Sequence, residues 1–176
     1  MHAADDTVTE SPLPLATVYA GWDALQHDLL AAVAPLSPEQ WALPVAPTHW
    51  SIERLVQHIV ADRAWWFYGW MGDGGPDVAA IARWEEDGQP QRSATELLTG
   101  LEATWEMIEQ SLARRTVADL AYAFEPPPAL PETEREFWGS RTRQWIIWHV
   151  LRHDIHHGGE LAVGMGGYDL PTIWRF

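Results

Sequence analysis

Apolar residues recur at three- and four-residue steps in four long stretches of the chain, the period of amphipathic helices, and proline, glycine or capping residues bound each stretch. The first runs from Leu15 to about Ala34, with Val18, Trp22, Leu25, Leu29, Leu30 and Val33 as its stripe and Pro35 as its stop. A proline-bearing connector, Leu36 to His49, leads to Ser51, which is placed to cap a second helix. Its stripe is Ile52, Leu55, Val56, Ile59, Trp66 and Trp70, and it ends in the glycine-rich turn from Gly72. Ser93-Ala94-Thr95-Glu96 reads as a capping box opening a third helix to about Arg115, carried by Leu97, Leu98, Leu101, Trp105, Ile108 and Leu112. The fourth begins near Gly139 to Thr142 and runs to about Val163, where Gly164, Gly166 and Gly167 close it.

The connections are long. Gly72 to Pro90 is rich in glycine, proline and acid, with room for a helical turn around Val78 to Trp84. Thr116 to Gly139 reads as irregular, its prolines at 126, 127, 128 and 131 excluding helix, while Ala121 to Phe124 can pair briefly as a strand. Long helices joined by connections too long for hairpins predict an all-α fold, a four-helix bundle with long crossover connections. The expected organisation is a flexible arm over 1–14 and a single domain over 15–176, with the tail from Tyr168 through Trp174 and Phe176 folding back over one end of the bundle.

Charge narrows the partners. The formal charge is −14, and all 11 basic residues are arginine, so the surface is unsuited to nucleic acid or anionic membrane. The expected partner is a small-molecule substrate. No apolar run is long enough to span a bilayer, and the polar N-terminus does not resemble a signal peptide, so the expected location is cytoplasmic. Cysteine is absent, which excludes disulfides, thiolate ligands and a cysteine nucleophile; any thiol chemistry would use a thiol brought from outside.

Candidate chemistry concentrates in Trp145 to Glu160, which holds four of the eight histidines in a run that otherwise reads as an interior helix, apolar nearly all round. His153 and His157 stand one turn apart on one side, so two imidazoles can share a metal ion. Ile146, His149, Val150 and Glu160 fall on the same arc. The His-Glu-x-x-His arrangement of zinc proteases is missing, because Asp154 follows His153. On the second helix His58 and Asp62 share the shoulder of the stripe; taken alone, His58 reads as a boundary histidine hydrogen-bonded to Asp62. Trp65, Trp66, Trp70, Trp145, Trp148 and Trp174 lie near these two helices in sequence and can wall an apolar pocket. Glu96, Glu102, Glu106 and Glu109 read as the solvated face of the third helix.

Trp50-Ser51-Ile52 leading to His58, the run from His149 to Glu160, and Gly166-Gly167-Tyr168-Asp169-Leu170-Pro171 together resemble the DinB-like family of metal-binding four-helix bundles, over about Leu15 to the C-terminus. The resemblance implies a divalent metal on His58, His153 and His157, with nickel or zinc first to test and iron third; imidazole ligation by itself suits all three. Three protein ligands leave a position open for chemistry. Gly158 stands where many relatives carry a basic residue, so this chain lacks that group. The resemblance also implies a homodimer and a thiol-dependent transferase or isomerase. The first reading is therefore a metal-dependent S-transferase joining a low-molecular-weight thiol to small apolar electrophiles. Asp62 and Glu160 would orient imidazoles, and His149 would be structural or near the ligands. Two alternatives stay open: metal-assisted hydrolysis with Asp62, Glu160 or His149 as general base, and a metal-binding or sensing module without turnover.

Overall fold

A computed structural model describes residues 12–173; most of the expected arm, and Trp174 and Phe176 of the tail, lie outside the described residues. The helices are α1 (Leu15–Val18), α2 (Gly21–Val33), α3 (Pro38–Trp41), α4 (Ile52–Ala64), α5 (Pro76–Ile81), α6 (Ala94–Ala113), α7 (Glu132–Trp138) and α8 (Arg143–Gly166). The long ones, α2, α4, α6 and α8, form the bundle, with α4 packed against both α6 and α8, and α2 against the same pair. Capping follows the sequence signals: Ser51 accepts from Arg54 N–H, Ser93 and Glu96 close a reciprocal box, and Thr142 accepts from Trp145 N–H. The glutamates expected on the outer face of α6 are exposed.

Four expectations need correction. The first predicted helix is broken at Tyr19, and Val18 is 55% exposed. The cause is an anchor: Leu15 N–H donates to Arg115 O at 2.7 Å and Pro14 bridges Thr116, tying the chain start to the end of α6 before it turns into α2. The second helix does not stay α-helical; Trp65–Trp70 is a π-helical turn. The segment after Thr116 is not wholly irregular. Ala123–Phe124 (β1) pairs antiparallel with Arg141–Thr142 (β2), and between them Pro131 caps α7 rather than excluding it, since a proline ahead of the first turn sacrifices no internal hydrogen bond. Finally, α8 is not interior all round, because Trp148 is 57% exposed and Ile155 lies on the same solvent side. The start of the tail does fold back: Tyr168 OH donates to Pro44 O at 3.0 Å and Ile173 is buried.

Sequence periodicity gave no warning of a charge cluster at the centre of the bundle. Arg63 of α4 and Asp154 of α8 are 0% and 2% exposed. Arg63 Nε donates to both carboxylate oxygens at 3.1 and 2.9 Å, and its Nη1 donates to Gln26 Oε1 at 2.7 Å. Trp22 Nε1 donates to Asp154 Oδ2 at 2.8 Å, and Gln26 Nε2 to Leu101 O at 3.2 Å. One network thus joins α2, α4, α6 and α8. Burying charges is tolerable only when the partners are in place. Arg63→Leu is expected to cost about 3–5 kcal/mol in urea denaturation, because it leaves Asp154 buried and unpaired. The double substitution Arg63→Leu/Asp154→Leu should lose less than Arg63→Leu alone.

Candidate metal centre

Where α4 and α8 face each other, three imidazoles meet. His58 projects from α4, and His153 and His157 project from successive turns of α8; one ligand atom from each lies within 4.8 Å of the others. Ring centroids are 4.8 Å apart for His58 and His153, 5.0 Å for His58 and His157, and 4.3 Å for His153 and His157. Trp50 stands edge-on to His58 at 5.0 Å, so the residue just ahead of the Ser51 cap shields the ring.

Each imidazole has a carboxylate beside its Nδ1. His58 Nδ1 donates to Glu85 Oε2 at 2.7 Å, and His157 Nδ1 to Glu160 Oε2 at 2.7 Å. With Nδ1 protonated, Nε2 of both rings carries a lone pair. His153 Nε2 lies 3.0 Å from His58 Nε2 and must then be the donor of that contact. That leaves its Nδ1 bare, 3.4 Å from Asp62 Oδ2, and neither atom has a hydrogen-bond partner. Both orphans are resolved if the His153 proton moves from Nε2 to Nδ1, where Asp62 accepts it. The move frees the third Nε2 lone pair, so the unsatisfied atoms and the donor set fit a cation held by His58, His153 and His157. Carboxylates that orient metal-binding imidazoles occupy this position generally.

Electrostatics agree with a centre of this kind. Burial pushes the Asp62 carboxyl up to about 7, with the His58 charge opposing and Asp154 reinforcing the rise, and Trp66 Nε1 donates to its Oδ1 at 3.1 Å. Burial, aided by the neighbouring histidines, holds His153 far below its ordinary value, and burial also lowers His157. Burial opposes ionisation of Glu85 and Glu160, but the hydrogen bonds from His58 and His157, together with the charges of Arg54 and the neighbouring histidines, outweigh it and keep both low. His149 stands apart from the trio. It stacks on Trp145 with ring centres at 4.7 Å, packs on Trp66, and is depressed to about 4 by burial and Arg152. His156 is on the exposed side, where its Nε2 and that of His49 each approach Glu160 Oε1 at 3.5 Å.

Beside the trio opens a cleft of about 550 Å³, sharing Asp62 and Glu85 with it and walled by Trp65, Trp66, Trp138 and His149. The π turn carries Trp65 and Trp66; such turns are frequent at functional sites. Trp138 arrives from α7 and meets Trp66 at 5.2 Å, nearly perpendicular. Of the tryptophans expected to wall a pocket, Trp65 and Trp66 do so, Trp70 and Trp145 pack behind Trp66, and Trp148 faces solvent.

His58, His153 and His157 therefore converge, as the resemblance implies, with Asp62 beside His153 and Glu160 beside His157. The partner of His58 is Glu85, not Asp62. Glu85 comes from the loop between α5 and α6, where no periodicity marks a residue's direction. Its placement depends on Gly100 of α6, where an added Cβ would lie 2.8 Å from the Trp84 ring and from Val60 Cγ1. Gly158 also packs inward, near Leu25 and Ile173.

The sequence profile of the DinB superfamily matches residues 22–161. The chain belongs to the DinB superfamily. Among solved structures, a DinB-like protein from Bacillus cereus ATCC 10987 is similar, with TM-score 0.62 and 18% identity, over 89% of this chain and 93% of that one. At this identity the likeness bears on the fold alone, which is DinB-like. No curated protein matches the chain. Among the described residues, no helix is long and apolar enough to cross a membrane. The DinB match covers α2, α4, α6 and most of α8, and so includes all three histidines.

Two outcomes are expected of this DinB centre. In metal-free protein the Asp62 value of about 7 lies above the unfolded value of about 3.9, so its contribution to stability is full below pH ~4 and is lost as pH rises toward 7. Asp62→Asn should therefore gain on the parent across that window, by at most about 4 kcal/mol, in denaturation curves at pH 4 and 8. Gly100→Ala should displace Trp84 and with it Glu85, costing about 1–3 kcal/mol and perturbing the His58 imidazole NMR signals; unmoved signals would dissociate Gly100 from the site.

Proposed function

We propose that this DinB chain is a metal-dependent enzyme that joins a low-molecular-weight thiol to a small electrophile, holding one divalent ion on His58, His153 and His157. What carries the reading is the convergence of three imidazoles, each with a carboxylate at Nδ1, directly beside a tryptophan-walled cleft. A sealed structural site would have no need of such a cleft. The lack of any cysteine in the chain is in keeping with a thiol supplied from outside.

A divalent ion held by His58, His153 and His157 would supply Lewis acidity, lowering the pKa of a thiol whose proton would pass to solvent. The residues of the chain do the rest. Asp62, Glu85 and Glu160 hold the Nδ1 protons and fix ring direction, which makes them positioning residues rather than general bases. Trp65, Trp66 and Trp138 exclude water and seat the electrophile while the thiolate sulfur bonds to its carbon and the bond from that carbon to the leaving group breaks, the leaving group departing to solvent with the electron pair. His149, neutral at pH 7, offers the bound substrate a ring nitrogen from the cleft wall.

The test is metal analysis of the purified protein followed by a thiol-by-electrophile panel with nickel and with zinc. About one ion per chain is expected, with binding lost in His58→Ala, His153→Ala and His157→Ala and weakened about 10- to 100-fold in Glu85→Gln or Asp62→Asn. Full metal affinity in the histidine variants would remove the site. Below pH 7 binding should release the Asp62 proton, a signal in calorimetry with buffers of different ionisation enthalpy that Asp62→Asn abolishes. Thiol-dependent turnover that vanishes in His153→Ala supports the transferase. Metal-dependent ester hydrolysis without a thiol requirement would replace it with a hydrolase. Absence of turnover together with a large loss of thermal stability on chelation would replace it with a metal-binding module.

A further inference from the structure

We propose that a second divalent cation, of the zinc, nickel or copper class, binds outside the three-histidine centre on His49 Nε2, His156 Nε2 and Glu160 Oε1, and that its occupancy opposes that of the inner centre. The opposition rests on the inner ion proposed above; the outer site does not. Glu160 divides its carboxylate between two tasks. Its Oε2 accepts from His157 Nδ1 at 2.7 Å, while its Oε1 faces His49 Nε2 and His156 Nε2, each at 3.5 Å. A charge-assisted hydrogen bond would close to about 2.7–2.9 Å. Neighbouring ligands of one tetrahedral ion, each about 2.0–2.1 Å from it, stand about 3.3–3.4 Å apart. The spacing around Oε1 therefore suits donors to a common ion better than it suits a shared proton.

The three donors come from two elements. One ligand atom from each of His156, His157 and Glu160 lies within 4.8 Å of the others, but His157 is turned toward His58 and His153, so His49 takes the third place. His156 and Glu160 stand one turn apart on α8, a spacing at which side chains meet. His49 arrives from the connector between α3 and α4, which is pinned to α8. Val45 N–H donates to Trp50 O at 2.9 Å, and Tyr168 OH holds Pro44 O. The bare backbone of Gly164 lets the connector approach, since an added Cβ there would lie 2.6 Å from Val45 Cα. His49 is thus held beside α8 before any ion arrives, which lowers the cost of ordering the site. Among the described residues Glu160 has imidazoles as its ion-pair partners, and no arginine competes for it. Two imidazoles and a carboxylate favour zinc, nickel or copper, whereas magnesium and calcium require oxygen ligands. Because one carboxylate serves both places, an ion on Oε1 draws charge away from the His157 Nδ1 proton and repels the inner ion. Such coupling is reciprocal.

The experiment titrates zinc, and magnesium as control, into the metal-free full chain by calorimetry. Two zinc ions are expected, the second at least about tenfold weaker because His49 and His156 are exposed and must be ordered. Magnesium carries the same charge and should not reproduce the second event. His49→Ala/His156→Ala should lose the weaker ion and keep the stronger within about twofold, with unchanged circular dichroism. In the parent, zinc beyond the first equivalent should shift the imidazole NMR signals of His49 and His156. His153→Ala should retain the outer ion and bind it about fivefold more tightly than the parent does. A single ion at millimolar zinc, a second ion retained by the double variant, or equal binding of magnesium would overturn the outer site; equal outer affinity in His153→Ala and the parent would overturn the opposition. The two metal readings fail separately. An ion lost in the double variant with none lost in His153→Ala defeats only the inner centre, and the reverse defeats only the outer one.

Discussion

The arrangement of this bundle hangs on one buried ion pair, Arg63 with Asp154. Asp154 sits between the histidines of α8 in sequence, and its burial against Arg63, Trp22 and Gln26 fixes how that helix is turned about its own axis. A rotation of one residue, about 100°, would carry the carboxylate out of reach of the guanidinium and leave two charges unpaired in a dry interior. With Asp154 facing inward, His153 and His157 are left on one flank, toward His58. The candidate metal centre thus inherits its geometry from an ion pair that lies outside it.

Around that fixed phase, the three imidazoles draw their carboxylates from separate places. Glu160 lies one turn along the same helix as His157, Asp62 lies on the opposite helix, and Glu85 comes from a loop. The loop is therefore part of the site rather than a spacer. Gly100 lets Trp84 pack close to α6, Trp84 fixes the loop, and the adjacent Glu85 reaches His58.

What the sequence disclosed follows the same division. His153, His157 and Glu160 share one helix face, and His58 and Asp62 another, so a 3.6-residue period suffices to group them, and the DinB resemblance joins the two groups. Glu85 was hidden because a loop has no period from which to infer direction. Arg63 and Asp154 were hidden because pattern reading assigns charges to the surface and their pairing spans 91 positions. Helix α7 is too short to display a period, and its prolines read as a barrier when they in fact precede it. The exposure of Trp148 and Ile155 shows the complementary error, in which an apolar residue is assumed to be buried.

The π turn at Trp65–Trp70 separates two kinds of inheritance. It lets Trp65 and Trp66 be aimed at the cleft after the regular turns of α4 have already set His58 and Asp62. Together with α7 and the loop holding Asp87, it builds the cleft from segments that carry none of the three histidines. Changes in those segments alter what is admitted, while the helix phases that hold the imidazoles are untouched. A lineage built on this plan can reshape its cleft and keep its cluster of imidazoles.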